Sequence, residues 1–268
     1  MIQVRPSDSI VKAEGGWFTA RWHFSFDRYW DPEYVSWGDL RVFNDDRLVP
    51  GAAWPMHPHR DIEGITYVAE GTFEHADSRG NGGVLLPGSI QRATLGSGMQ
   101  HSERNHSQTE PMRFIQMWIM PAELGIEPSV EQRSYTEDER RNRLLPVLVP
   151  AAGFGGEDAP AGPDGTVTVH QDAAVYAGLL EPGAEIEHRF RTGFGGYLFV
   201  VHGGAELRAS GTEREAATEG GTVDEGGAAR IASVERLLIR ATAAGAEVLL
   251  VETRLAPEEE RRSQERAA

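Results

Sequence analysis

The chain contains no cysteine among its 268 residues, which excludes disulfides, thiolate metal sites, iron–sulfur clusters and cysteine nucleophiles. Any metal must therefore sit on His, Asp or Glu. Nowhere do ~18 consecutive apolar residues occur, and the opening MIQVRPSDSIVKAEGG lacks the apolar core of a signal peptide. A cytoplasmic protein outside the membrane is the expectation. Positive charge is scarce as well: 26 Lys+Arg against 41 Asp+Glu give a net charge of −15, which argues against direct nucleic-acid contact through phosphates. Lysine occurs once, at Lys12, a usage that reflects codon bias more than chemistry. There is no Walker loop and no GxSxG elbow, and Gly-rich runs such as residues 193–196 precede strands instead of opening helices.

What is present is a globular composition rich in turns: 40% hydrophobic residues, 31 glycines and 15 prolines, the signature of all-β architecture. The length fits one large domain or two of ordinary size. Sixteen of the 22 aromatic residues lie in residues 1–135, so the first half should hold the larger cavity-lining content. Strand-like runs recur at 40–43, 64–68, 83–86, 113–120, 167–169, 197–201 and 248–251, with turn signals between them. Regular short strands without interleaved helices suggest barrels or sandwiches. One helix is expected at 136–146, where Thr136 and Glu139 form a capping box, arginines follow toward the C-terminal end, and Pro146 closes it. A Gly/Ala/Pro loop at 151–165 comes next, and a charged tail at 257–268 reads as a solvated helix.

Two passages carry chemistry, His57-Pro-His59 and His101-Ser-Glu103, because each sets two metal-ligand side chains at i and i+2. On a β-strand those point to one face. Two such strands facing one barrel interior would assemble three imidazoles and one carboxylate, a donor set suited to Fe, Zn, Mn, Co or Ni more than to Ca or Mg. A lone H-x-H is commonly a pair of surface histidines. Here Glu63 continues it as H-x-H-x3-E, and Gly71 supplies a turn glycine, which matches the first cupin motif. Glu63 shares strand parity with His57 and His59, so it is either a ligand or an acceptor orienting a histidine. The other histidines read first as structural: His23 in an aromatic stretch, His75 and His106 beside turns, and His170, His188 and His202 without a partner at i±2. Asp224 and Glu225 read as solvated charge and the tryptophans mostly as core, with Trp54 near enough to the ligands to line a pocket.

In order along the chain, Trp22-His-Phe-Ser-Phe26, Asp31-Pro32, residues 40–46, His57-Pro-His-Arg-Asp61, Glu63, residues 66–68, Glu70-Gly-Thr72, His75, Asp77-Ser78, Gly96-Ser-Gly98, His101-Ser-Glu103 and residues 116–121 resemble the pirin family of bicupins, in particular its bacterial quercetinase-like members. The resemblance covers about half the chain. It implies an all-β fold of two jelly-roll-type cupin barrels, with a metal-binding cupin at 1–135, a connecting helix at 136–146, a cupin lacking metal ligands at 147–256 and the tail at 257–268. Its ligands carry over to His57, His59, His101 and Glu103, leaving Glu63 as a second-layer residue that orients an imidazole. The general cupin scheme expects a histidine after a Pro-x-Gly turn, and here Pro87-Gly-Ser-Ile-Gln91 offers Gln91 instead.

Four protein ligands on a six-coordinate ion leave two open positions, as an oxygenase requires; a closed tetrahedral zinc site would use the same four. The resemblance implies cleavage of the heterocycle of a flavonol such as quercetin by dioxygen, with loss of carbon monoxide. Iron(II) is the favoured ion, with Mn, Co, Ni and Zn as alternatives, and Glu103 doubles as the base that takes the 3-hydroxyl proton. The alternative is a regulator that binds a protein partner, with the metal structural or redox-sensing, and the acidic charge fits a protein better than DNA. Two barrels in one chain supply the sheet contact that single cupins obtain by dimerising, so a monomer is expected.

Overall fold

β-branched and aromatic residues at alternate positions commit the chain to strands, and turn residues cut those strands short. The computed structural model describes residues 1–210 and 220–256. Its strands in the first half are β1 (Ile2–Arg5), β2 (Val11–Glu14), β3 (Phe18–Trp22), β4 (Leu40–Leu48), β5 (Ala53–His59), β6 (Glu63–Glu70), β7 (Phe73–Asp77), β8 (Gly82–Leu85), β9 (Ser89–Thr94), β10 (Met99–Asn105), β11 (Met112–Ile119) and β12 (Ser129–Ser134). After the single helical turn α1 (Glu137–Arg140) come β13 (Leu145–Pro150), β14 (Val167–Val169), β15 (Ala173–Leu180), β16 (Glu185–Arg189), β17 (Phe194–Ser210), β18 (Gly220–Asp224), β19 (Ala228–Ile231) and β20 (Arg236–Arg254). Each run read as a strand from its composition falls on one of these, with Leu86 and Met120 one residue past the strand end.

The first half is a sandwich of a seven-stranded sheet, order β12-β9-β6-β11-β4-β3-β2, and a four-stranded sheet, order β5-β10-β7-β8. The second half closes on itself through two long strands. β20 pairs with β16 along its first part and with β15 along its second, while β17 runs beside it with register shifts near Val200 and Gly203. Such bulges let one strand bend between the two faces of a barrel. Gly71 makes the tight turn after β6: its φ is 76°, and a Cβ there would stand 2.5 Å from the Pro111 carbonyl, so only glycine fits.

Three expectations change. The strand β1 pairs with β19, with Ile2 opposite Ile231, so the first residues belong to the nine-stranded sheet of the second half. The connecting helix is a single turn. Its capping box is present, with Glu139 N donating to Thr136 Oγ1 at 3.2 Å and Thr136 N to Glu139 Oε2 at 2.8 Å. It stops at Arg140 because Arg141 bridges to Leu179 and Asn142, at φ 51°, exchanges hydrogen bonds of 2.9 Å with Glu181. Pro146 is therefore a strand residue, at the register irregularity of β13 where its missing N–H is tolerated. The tail at 257–268 lies outside the described residues.

The halves share their largest core. Phe24, Leu40, Phe43, Ile65 and Ile115 of the first half pack with Val147, Val175, Phe199, Leu249 and Val251 of the second, all fully buried. Buried polar groups stitch the same interface. Arg113 holds Asp45 at 2.7 and 3.0 Å and donates to the Val201 carbonyl at 2.8 Å. Arg140, freed from the helix end, reaches Tyr67 at 2.5 Å and Glu247 at 2.7 Å.

Candidate metal centre

β5 and β10 lie side by side and antiparallel, with His57 opposite His101 and His59 opposite Met99. Since partners at i and i+2 share a face, this register gathers the histidines. Ring nitrogens of His57, His59 and His101 lie within 4.8 Å of one another, and the ring centroids are 4.6 to 5.3 Å apart. The register shifts between His101 and Glu103, so that Glu103 stands opposite Trp54. Its Oε1 is 3.6 Å from His101 Nδ1; the carboxylate adjoins the imidazole trio through His101.

Ring orientation follows from the neighbours. A carbonyl can only accept, so the 2.8 Å contact from His57 Nδ1 to Pro55 O puts the proton on Nδ1 and leaves the Nε2 lone pair free. His101 Nε2 is buried without a hydrogen-bond partner, which is unfavourable unless something takes its lone pair. Burial, reinforced by the neighbouring imidazoles, lowers His101 to about 3 and His59 to about 4. Both rings are therefore neutral at pH 7, the form in which an imidazole can take a metal ion. Burial alone pushes Glu103 up to about 7. Free imidazole nitrogens that converge, one of them an orphan, and an adjacent carboxyl fit a borderline divalent ion.

The imidazoles form one wall of a cavity of about 340 Å³ between the two sheets. The facing sheet supplies most of the remainder in alternation, Phe18, Ala20 and Trp22 from β3, Asn44 and Asp46 from β4, and Phe114, Gln116 and Trp118 from β11; Phe26 and Asp27 after β3, with Trp54 and Glu103 beside the imidazoles, complete it. Burial, with Asp45 and Glu103 nearby, holds the Asp46 carboxyl well above the usual range. Trp54 lines the pocket as its nearness to the ligands suggested. Trp22 and Trp118 were expected as core, and the rest of the facing wall had no role assigned from sequence, although the i, i+2 spacing that singled out the histidines also marks 18/20/22, 44/46 and 114/116/118. What was missing was the knowledge that these strands face β5 and β10.

Glu63 does not orient any of the three clustered histidines. It is fully buried at the seam with the second half, where it accepts from Thr94 Oγ1 and His170 Nδ1, both at 3.0 Å, and lies 3.7 Å from Arg92 Nε. The imidazole it meets is His170, more than a hundred positions away, and parity alone could not show that β6 belongs to the other sheet. His75 is buried in β7 next to Glu103 and contacts Gln132 Oε1 at 2.8 Å. His23 is a core residue bonded to Tyr197 at 2.7 Å, and His188 is paired with Glu252 at 2.7 Å.

Two sandwiched sheets around an imidazole-walled cavity, joined in one chain to a second β-barrel folded over on the bent strands β17 and β20, define a bicupin. Residues 3–119 match the Pirin family, and residues 159–253 match the family described as the quercetinase C-terminal cupin domain. A Zymomonas mobilis relative, provisionally named a quercetin 2,3-dioxygenase, is 39% identical over 90% of this chain and 94% of its own. The Escherichia coli K12 protein named quercetin 2,3-dioxygenase is 36% identical over 77% of this chain and 84% of its own. The crystal structure of the bacterial pirin YhhW from E. coli in complex with nickel(II) superimposes with a TM-score of 0.81 at 32% identity, covering 96% of this chain and 100% of that one. The chain belongs to the pirin family. Among the described residues no helix is long and apolar enough to cross a membrane.

Proposed function

We propose that the protein is a metal-dependent dioxygenase that opens the heterocycle of flavonols such as quercetin, with release of carbon monoxide. The observation that carries the reading is the placement of a buried carboxyl, Glu103, beside three converging imidazoles on the wall of an aromatic-lined cavity. Cavities of several hundred Å³, mostly apolar with a few polar groups, are typical small-molecule sites. The quercetinase names of relatives and the nickel in the YhhW structure support the same reading.

His57, His59 and His101, with Glu103 beside them, would hold a divalent ion, iron(II) in preference to Mn, Co, Ni or Zn. Such an ion, when bound, supplies Lewis acidity toward a deprotonated substrate oxygen and redox exchange with dioxygen. The chain itself does the rest. Trp22, Trp54, Phe114 and Trp118 stack against the flat rings and exclude water. Glu103 Oε takes the proton of the 3-hydroxyl, a task suited to a carboxyl that titrates near neutrality. The Pro55 carbonyl holds the His57 ring in one tautomer.

Quercetin-dependent oxygen uptake by protein reconstituted separately with Fe(II), Mn(II), Co(II), Ni(II) and Zn(II) tests the proposal. Uptake should require a redox-capable ion and vanish in His101→Ala. Glu103→Gln should retain part of the metal and lose turnover by about 10²-fold or more, the usual scale of general-base loss. No uptake with any stoichiometrically bound ion would reject the enzyme and favour a regulator that captures a protein partner.

A further inference from the structure

Across the cavity from the imidazoles stands a second polar group that the proposed reaction leaves without a task. Asn44 and Asp46 sit two apart on β4 and line the cavity. Gln116 of the neighbouring β11 is the direct register partner of Asn44. The alternate residue Asp45 points the other way and is matched by Arg113 at 2.7 and 3.0 Å. Asp46 is as buried as Asp45, yet among the described residues no cation, hydroxyl or amide is bonded to its carboxyl, and its charged neighbours are the like charges Asp45 and Glu103. Asn44 Oδ1 is likewise buried with no partner. Gln116 Oε1 is taken by Thr66 Oγ1 at 2.9 Å, which leaves its amide nitrogen as the group with capacity to spare.

A buried acceptor without a partner, such as Asn44 Oδ1, is unfavourable in the free protein, and the Asp46 carboxyl beside it faces the same cavity with no bonded partner among the described residues. They gain partners if the occupant brings hydroxyls. A pocket built to bond a hydroxyl also rejects the analogue that lacks it more strongly than an apolar pocket rejects a change of size. Resting on the flavonol reading above, we infer that Asn44 and Asp46, with Gln116 beside them, form a hydroxyl-reading subsite. It hydrogen-bonds a ring hydroxyl of a polyhydroxylated flavonol other than the one released to Glu103, and Asp46 is its specificity-determining residue.

Trp22, Trp54 and Trp118 line the same cavity, so quenching of tryptophan emission reports binding without turnover. The zinc-loaded protein, held free of oxygen, is titrated with quercetin and with 3-hydroxyflavone, which keeps the 3-hydroxyl and lacks the others. The wild type should prefer quercetin by about tenfold or more. Asp46→Leu, which keeps the branching and heavy-atom count and removes the hydrogen-bonding head, should bring the two within about twofold by weakening quercetin alone, and Asp46→Asn, which keeps a hydrogen-bonding head, should restore most of the preference. An undiminished preference in Asp46→Leu overturns the subsite and leaves the flavonol reading intact. Equal loss of both ligands also overturns it, because Asp46 would then shape the wall without reading a hydroxyl. A wild type quenched by neither compound removes the flavonol reading and the subsite together.

Discussion

Burial raises the Glu103 carboxyl from 4.5 to about 7, and a raised carboxyl means that the folded state holds its proton more tightly than the unfolded chain does. The contribution is therefore fully present below about pH 4.5 and is lost as pH rises through 7. In metal-free protein at pH 8 this amounts to about 3 kcal/mol of destabilisation. Glu103→Gln should accordingly unfold at higher temperature than wild type at pH 8 and show no such gain at pH 4, a comparison made by thermal melts in chelator. Equal differences at both pH values would mean that the ionised carboxyl is not what burial penalises. The two lowered imidazoles, His59 and His101, have the opposite sense, their contribution being intact above 6.5 and lost as pH falls toward 4 and 3. At this scale the sequence was informative for the histidines and for Glu103, whose spacing is local. It was uninformative for Glu63 and His170, whose contact depends on two strands far apart in the chain.

Strand parity is the device that builds the site at the level of elements. β5 contributes His57 and His59 and β10 contributes His101 and Glu103, and a shift of one residue in either turns its side chains to the opposite face. One alanine inserted between Pro58 and His59 should keep the β-rich circular dichroism spectrum and abolish stoichiometric metal binding, measured by elemental analysis after dialysis. Full metal retention would show that the ion is held elsewhere. The same parity made most strands legible, since apolar alternation and turn residues are local signals. The helix was legible in its start and not in its end. Thr136 and Glu139 cap it as their spacing requires, whereas its length is decided by Asn142 and Glu181, a tertiary contact that no helical pattern encodes.

At the scale of the whole molecule the two cupins are packed against each other through one interior. Their largest core runs through both, and charged side chains such as Arg113 and Arg140 are buried against the opposite half. An arginine buried with its partners on both sides is strongly destabilising to strand alone. Calorimetry of the intact chain should show a single transition, and a fragment comprising residues 1–135 should aggregate or lack a transition. Two separate transitions would indicate that the shared core contributes little coupling. The division into halves was visible in the composition, through the crowding of aromatics into the first. The assignment of β1 to the sheet of the second half was not, because a four-residue strand carries no mark of its partner.

That crossing strand also sets an order of events during synthesis. Ile2–Arg5 leaves the ribosome long before Ala228–Ile231, the strand it pairs with, so this strand cannot take its place in the sheet until more than two hundred further residues have been made. A change at Ile2–Arg5 is thus a change to the C-terminal barrel, as well as to the cupin it borders in sequence, which Arg5 reaches at the His23 carbonyl.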